Sequence, residues 1–364
     1  MEVQAIKLTT EAENPVLRPM SLTNHEQVVF CQDNETGLKA IIAIHNTVLG
    51  PSLGGTRMWK YANELEALND VLRLSRGMTY KASISGLNLG GGKAVIIGDS
   101  RKDKSETLFR KFGQFVNSLG GKYITAEDVG IGPADMAFVS METKSVVGLP
   151  GKGGDPSPVT ALGVYVGIKA CAKHVYGNDS LKGKKIAVQG AGHVGENLIE
   201  LLSKEGAVVY VTDIYEDTLK TVATKYKANV VGVNEIYGLD VDIYSPCALG
   251  ATLNDDTIPQ LKCAIVAGAA NNQLKDEAKH GNALLEKGIV YAPDFLINAG
   301  GLINCYHEII GYNREAALAQ AEIIYKTLSD VLKASADKKI PTYQTANQIA
   351  EERIRLTKAA REKK

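Results

Sequence analysis

Apolar and polar positions along the first third of the chain follow two different periods. Continuous apolar runs at 38–46 and 93–99 predict β-strands, and a further strand is expected to end at Asp128. Leucine and phenylalanine residues recur every three or four positions over 64–76 and 104–118, which predicts two helices. This part of the chain is therefore predicted to be a mixed α/β unit.

The rest of the chain alternates short apolar runs with longer helical patterns. Glycine and proline crowd together at 149–158, where we place a domain boundary. Ser157 is expected to cap a helix that Gly177 ends, and beyond Asn313 helix formers predominate, with a break at Pro341. The predicted strands of this region lie at 184–190, 207–213, 241–247, 263–269 and 288–294. Their alternation with helices predicts a mostly parallel sheet with crossovers on both faces.

One turn in this region has the spacing of a dinucleotide site. The G-x-G-x-x-G positions, between a predicted strand and a helix, are Gly190, Ala191, Gly192, His193, Val194 and Gly195. Glycine permits the tight turn, the approach of a pyrophosphate to backbone N–H groups, and close packing of helix on strand. Asp213 ends the next strand, close to the ~20 residues expected for an acid that binds a ribose 2′-hydroxyl. A carboxylate there repels a 2′-phosphate, so the pattern predicts NAD; the alternative is a glycine turn without a ligand.

Composition narrows the class of protein. The 364 residues are 45% hydrophobic, and 41 basic residues balance 41 acidic ones, which argues against a nucleic-acid or membrane-surface partner. No apolar run approaches the roughly 20 residues that span a bilayer, so a cytoplasmic protein is expected. Five scattered cysteines and six histidines show no zinc-binding spacing, and no metal is expected.

A glycine-rich segment with two lysines, 77–93, is the strongest candidate for chemistry. Ala94 follows Lys93 where a nucleotide triphosphate loop needs a hydroxyl, so that kind of site is unlikely on motif grounds. If the ligand is a small carboxylate, Lys81 or Lys93 can bind its charge while the other does proton chemistry, and Asp128 is a candidate proton partner. Two neighbouring ammonium groups would lower one lysine pKa toward the working pH. Taken alone, each of these residues would more often be a solvated charge, and it is the neighbouring glycines that favour a site.

Several motifs in register resemble one enzyme family. GPSLGGTRMW, GMTYK, GLNLGGGK, TAEDVG, GGDPSPVTALGV, VQGAGHVG, NNQL and NAGGLIN occur in the order found in the glutamate/leucine/phenylalanine/valine dehydrogenase family, and the resemblance covers nearly the whole chain. It implies an α/β protein of two domains separated by a cleft. The N-terminal mixed α/β domain for substrate binding and oligomerisation would cover 1–148, and a doubly wound Rossmann-type NAD domain 149–329. Whether the helices at about 330–364 pack back on the first domain is left open.

The resemblance also implies roles for individual residues. Lys93 would activate water and Asp128 would transfer a proton. The substrate carboxylate would be bound by Lys81 with the backbone of Gly91 and Gly92. The walls of the substrate side-chain pocket would be Leu53, Leu302 and Cys305, and the nicotinamide end of the cofactor would contact Thr160 and Asn272.

The implied reaction is the reversible, NAD-dependent oxidative deamination of an L-amino acid to a 2-oxo acid and ammonia. An apolar, neutral pocket favours leucine, isoleucine and valine, with leucine first. The alternatives are preference for valine or phenylalanine, and a catalytically silent dinucleotide-binding sensor. The expected partners are the small-molecule substrate and further copies of the chain in a homo-oligomer, for which the resemblance implies an octamer.

Overall fold

The computed structural model describes residues 16–149 and 151–363. Residues 1–15 of the predicted first domain, and Pro150 of the predicted boundary segment, lie outside the described residues. The described chain divides into two compact units. The first comprises the described residues up to Thr79 together with Leu89–Val147, and the second comprises Tyr80–Asn88 and the residues from Gly148 onward.

The first unit contains one mixed sheet. Its strands are β1 (Gln27–Asp33), β2 (Leu38–Asn46), β3 (Ser52–Trp59), β4 (Gly90–Ile97) and β5 (Tyr123–Glu127). Its helices are α1 (Leu17–Leu22), α2 (Glu64–Ile84, of which the part up to Thr79 belongs to this unit), α3 (Glu106–Ser118) and α4 (Pro133–Ser140). The strand order is β1-β2-β4-β3-β5, antiparallel from β1 to β4 and parallel from β4 to β5.

Apolar side chains of α2 and of the central strands form the core of this unit. Leu68 and Leu72 of α2 are buried against Ile41 of β2 and Val95 of β4. Strand β4 is buried along nearly its whole length, as expected for a strand with neighbours on both sides and helices over the sheet. The Ser105 hydroxyl caps α3 by accepting a hydrogen bond from the backbone N–H of Leu108.

The second unit contains one wholly parallel sheet. Its strands are β6 (Lys185–Gln189), β7 (Val208–Thr212), β8 (Asn229–Val230), β9 (Ile243–Pro246), β10 (Ile265–Val266) and β11 (Val290–Tyr291). Its helices are α5 (Ser157–Tyr176), α6 (His193–Lys204), α7 (Glu216–Tyr226), α8 (Glu277–Glu286), α9 (Asp294–Ile297), α10 (Gly300–Ile310), α11 (Arg314–Lys338) and α12 (Thr342–Glu362). Single 3₁₀ turns lie at Ile236–Gly238 and Ile258–Gln260.

The strand order of the parallel sheet is β11-β10-β9-β6-β7-β8. Read from the β8 edge and numbered along this unit, the order is 3-2-1-4-5-6, that of dinucleotide-binding doubly wound sheets. The order reverses between β6 and β9, and ligands of such sheets bind beyond the carboxyl ends of the strands at this point. The prediction of a mixed α/β part and a doubly wound parallel part is confirmed.

Several element boundaries differ from those predicted. Strand β4 begins at Gly90, so the glycine run before Lys93 is part of a strand, and α2 continues past residue 76 to Ile84. Strands β1, β3 and β8 were not predicted. Ser157 is the first residue of α5 and does not cap it, because Pro156 occupies the N-cap position. None of the helices in the described ranges is long and apolar enough to cross a membrane.

Candidate active site

In the first unit, a lysine and an aspartate from two parallel strands meet across the strand between them. Lys93 lies in β4, Asp128 directly follows β5, and β3 runs between these strands. The Lys93 Nζ is 3.0 Å from Asp128 Oδ2. Gly55 of β3 leaves room for this contact, since a Cβ on it would lie 3.0 Å from the Asp128 Cβ. The two residues expected to share proton chemistry are therefore in direct contact.

A second cation contacts the same carboxylate. The Arg57 Nε donates to Asp128 Oδ2 at 3.1 Å, and its terminal nitrogen donates to Asp70 Oδ2 at 2.8 Å. The Tyr61 hydroxyl also donates to Asp70 Oδ2, at 2.8 Å. No role was predicted for Arg57 or Asp70 from the sequence, although Arg57 stands within the GPSLGGTRMW motif. Its contact with Asp128 depends on the pairing of β3 with β5.

Burial and charge act in opposite directions on this pair. Burial disfavours the ammonium form of Lys93, whose side chain is only 7% exposed, and lowers its pKa although Asp128 opposes the change. The positive charge of Arg57 adds to the lowering. Burial alone would raise the pKa of Asp128, but the charges of Lys93 and Arg57 outweigh it and the pKa is lowered. The result is an ionised carboxylate beside a lysine that releases its proton more readily than a free one.

The glycines before Lys93 are required by packing within the first unit. A Cβ on Gly91 would lie 2.1 Å from the Thr79 backbone nitrogen, and one on Gly92 would lie 2.7 Å from the Tyr123 ring. Their lack of side chains is thus explained by the approach of α2 and of a buried tyrosine. Leu53, in β3, is 2% exposed and lies in the core of this unit. Substrate contacts of these three residues stay predictions.

Lys81 belongs to the second unit, where it lies in the last turn of α2. Its Nζ donates to Asn298 Oδ1 at 2.7 Å. The amide nitrogen of Asn298 in turn donates to Asn271 Oδ1 at 2.7 Å and to the Ala269 carbonyl at 3.0 Å. Asn298, the first residue of the NAGGLIN motif, therefore orients Lys81, and sequence reasoning missed it. The pairing of Lys81 with Lys93 stays a prediction, and the cation that contributes to the lowered pKa of Lys93 is Arg57.

The G-x-G-x-x-G segment of the second unit forms the turn between β6 and α6. Gly190 has φ 103°, a conformation that favours glycine, and a Cβ on Gly195 would lie 2.2 Å from the Gly190 carbonyl oxygen. A Cβ on Gly192 would meet no atom within 4 Å, so the backbone there is open to a ligand. The N-terminus of α6, where His193 is exposed and Val194 half-buried, suits a pyrophosphate because the first N–H groups of a helix have no partner within it.

Asp213 lies beside this turn, directly after β7. Its Oδ2 accepts a hydrogen bond from the Ala191 N–H at 2.7 Å, and its Oδ1 accepts one from the Tyr215 N–H at 3.0 Å. The carboxylate is thus held at the carboxyl edge of the sheet, next to the first glycine of the turn. This position fits the ribose-binding acid of a dinucleotide site.

The remaining predicted contacts lie in loops and helix ends of the second unit. Thr160, in the first turn of α5, packs so closely on α10 that a Cβ on Gly300 would lie 2.3 Å from its backbone nitrogen. Asn272 follows β10 with φ 52°. Leu302 is 6% exposed and Cys305 is half-buried, both in α10. Among the described residues, no group of three or more potential ligands could hold a metal ion.

Comparisons with known proteins agree with this architecture. The model of the "Glu/Leu/Phe/Val dehydrogenase, dimerisation domain" matches residues 25–145, and that of "Glutamate/Leucine/Phenylalanine/Valine dehydrogenase" matches 153–215 and 210–362. Leucine dehydrogenase of Bacillus cereus is 56% identical over 341 residues, which are 93% of each chain.

Aromatic-specific relatives are also similar. L-tryptophan dehydrogenase of Nostoc punctiforme is 48% identical over 93% of this chain and 96% of its own. Its crystal structure superposes with a TM-score of 0.86, covering 94% of this chain and 99% of that one at 47% identity. Since these proteins are oxidoreductases with a nucleotide-binding domain, a nicotinamide cofactor is implied, and the Gly190 turn fits one. The chain belongs to the glutamate/leucine/phenylalanine/valine dehydrogenase family and is an amino acid dehydrogenase.

Proposed function

We propose that this enzyme catalyses the reversible, NAD-dependent oxidative deamination of branched-chain L-amino acids, with L-leucine as the preferred substrate and isoleucine and valine also accepted. The observation that carries the proposal is the buried contact between Lys93 and Asp128, 3.0 Å long. Such a pair suits a reaction that moves protons at both an amine and a water molecule. The 56% identity to leucine dehydrogenase supports the choice of substrate.

Lys93 and Asp128 divide the proton transfers between them. Asp128, ionised because Lys93 and Arg57 outweigh its burial, accepts the proton that the substrate ammonium group loses. Bound NAD would accept the hydride from Cα of the amino acid. Lys93, whose lowered pKa favours the neutral amine, then takes a proton from water as the water adds to the iminium carbon. Collapse of the carbinolamine releases ammonia and the 2-oxo acid.

The substrate carboxylate is assigned to Lys81, with the backbone of Gly91 and Gly92. The hydrogen bond from Lys81 to Asn298 supports this role, since it orients the ammonium group. Asp294, whose carboxyl group lies near Lys81, is half-buried, and burial raises the pKa of this carboxyl group. Because this carboxyl group loses its proton less readily than a free one, it competes less with a substrate carboxylate for the charge of Lys81.

The second unit is assigned to NAD rather than NADP. The carboxylate of Asp213 lies 2.7 Å from the Ala191 N–H, at the position where a ribose 2′-hydroxyl would donate. The segment 213–217, which follows β7, carries three carboxylates and no cation, so these side chains would repel a 2′-phosphate. Thr160 and Asn272 are assigned to the nicotinamide end.

The substrate side chain is assigned to an apolar pocket that includes Leu53, Leu302 and Cys305. None of these residues can neutralise a second carboxylate, and burial of an unpaired charge is strongly unfavourable, which disfavours glutamate. Preference for an aromatic substrate is the second candidate, favoured by the 48% identity to the tryptophan enzyme. By family resemblance we further propose that the enzyme is a homo-octamer. In each chain, residues 1–148 would form the substrate-binding and oligomerisation domain, and residues 149–329 the NAD domain.

A substrate panel tests the proposal directly. Catalytic efficiency is measured from NADH absorbance at alkaline pH with L-leucine, L-isoleucine, L-valine, L-phenylalanine, L-tryptophan and L-glutamate. We expect the three aliphatic substrates within about tenfold to a hundredfold of one another, because one methylene contributes about 1–3 kcal/mol, and glutamate far below them. A higher efficiency with an aromatic substrate would support the second candidate. Absence of turnover with every branched-chain amino acid would contradict the proposal.

A further inference from the structure

We propose that Arg57 is a positioning residue of this enzyme, which holds one oxygen of Asp128 together with Lys93 so that the other oxygen faces the substrate amine. The inference rests on the proposed function and adds a residue to its machinery. Arg57 acts on the reaction through Asp128 and Lys93, without contact to the substrate.

The two carboxylate oxygens of Asp128 differ in their contacts. Arg57 Nε, at 3.1 Å, and Lys93 Nζ, at 3.0 Å, both reach Oδ2. Oδ1 carries neither of these contacts. Because two cations hold Oδ2, the carboxylate cannot rotate freely. Oδ1 therefore has a defined position for proton transfer. Orientation of this kind is what makes a general base effective.

Arg57 is itself held in place from behind. Its terminal nitrogen donates to Asp70 Oδ2 at 2.8 Å, and the Tyr61 hydroxyl donates to the same oxygen at 2.8 Å. The Arg57 guanidinium, on β3, thus joins the carboxylate of Asp70 on α2 to that of Asp128 after β5. Lysine cannot replace it fully, because a single ammonium group lacks the planar fork of donors.

The same cation changes the electrostatics of both reacting groups. The charges facing Lys93 are Asp128 after β5, Arg57 in β3 and Asp70 in α2. Arg57 lowers the pKa of Lys93, though less than burial does, and it lowers the pKa of Asp128. Removing the positive charge should therefore raise both. Because Lys93 must be neutral to accept a proton, the acidic side of the rate profile should move to higher pH.

Arg57→Gln and Arg57→Lys test the role, with Arg73→Gln as the matched control. Arg73 also binds Asp70, but it contacts the other oxygen, Oδ1, and its side chain is 57% exposed, so it adds little to the position of Arg57. The measurement is the pH dependence of kcat/KM and kcat for L-leucine with NAD, together with the dissociation constant of NAD.

For Arg57→Gln we expect kcat to fall by about tenfold to a hundredfold and the acidic limb to move up by about one pH unit, with NAD affinity unchanged. In Arg57→Lys the acidic limb should lie near its wild-type pH, because the positive charge is kept. Its kcat should stay low, because lysine lacks the planar donors of the guanidinium. Arg73→Gln should retain the wild-type profile.

A wild-type pH profile in Arg57→Gln, with kcat reduced only as far as the folded fraction is reduced, would show a merely structural role and overturn the inference. If Arg57→Gln does not fold, Arg57→Lys decides: lowered kcat at the wild-type limb supports the inference, and wild-type kcat overturns it. Failure of the proposed function is separate, since it would appear as wild-type enzyme without turnover of L-leucine.

Discussion

Two neighbouring histidines, His25 and His45, should make the stability of this enzyme depend on pH. They are 9% and 6% exposed, and their rings meet edge to face with centroids 4.7 Å apart. His45 Nε2 lies 2.9 Å from the Thr23 carbonyl, to which it must donate, so Nδ1 accepts from the Thr79 hydroxyl at 2.8 Å. Both nitrogens therefore have hydrogen-bond partners while the ring is neutral.

Burial lowers the pKa of both rings from 6.5 to about 4. Each ring also lies near the positive charge of Arg76, and His45 is further affected by His25. Between pH 6.5 and about pH 4, the two histidines bind protons in the unfolded chain but not in the folded one. The contribution to stability is therefore fully present above pH 6.5 and is lost as the pH falls toward 4. For one ring, linkage over this range corresponds to about 2 kcal/mol lost between about pH 7 and pH 5.

His45→Gln isolates this effect, because glutamine can keep the hydrogen bond to the Thr23 carbonyl but does not titrate. We expect the variant to lose about 2 kcal/mol less than wild type when the free energy of unfolding in urea is compared at about pH 7 and pH 5. His174→Gln, which replaces an exposed histidine, should behave as wild type. Equal losses in wild type and His45→Gln would refute the reasoning.

Two further predictions concern the active site. Lys93→Ala should lower kcat by at least about a hundredfold while NAD still binds with near wild-type affinity, because only proton transfer is removed; a loss of NAD affinity as large as the loss of rate, measured by fluorescence titration, would contradict its role. Asp213→Ala should reduce the preference for NAD over NADP by about tenfold, because the repulsion of the 2′-phosphate is removed. Unchanged selectivity in the ratio of the two kcat/KM values would assign that preference to another residue.

The dinucleotide turn could be predicted from the sequence because its requirements are local. A tight turn needs glycine at Gly190, and close packing of α6 needs it at Gly195, only five positions later. The place of Asp213 could also be predicted, because one helix and one strand of ordinary length separate it from the turn. The strand β8, by contrast, consists of two residues, Asn229 and Val230, and a segment of that length carries no periodicity.

The contacts of the glycines near Lys93 could not be predicted from the sequence. A run of glycine indicates that something approaches the backbone, but the sequence does not say what. The structure shows Thr79 of α2 beside Gly91 and the Tyr123 ring beside Gly92, both from distant parts of the first unit. Substitution of either glycine is thus expected to affect packing whatever its part in binding.

By itself, the sequence determined the class of fold, the family and the position of the glycine turn, and it predicted that Lys93 and Asp128 share proton chemistry. The tertiary structure decided how that pair is held: the order β4-β3-β5 brings Arg57 onto the carboxylate that Lys93 also contacts, and α2 adds Asp70 behind it. The reason is physical. Backbone conformation depends on neighbours along the chain, whereas the charge and burial that set the chemistry of a side chain depend on neighbours in space.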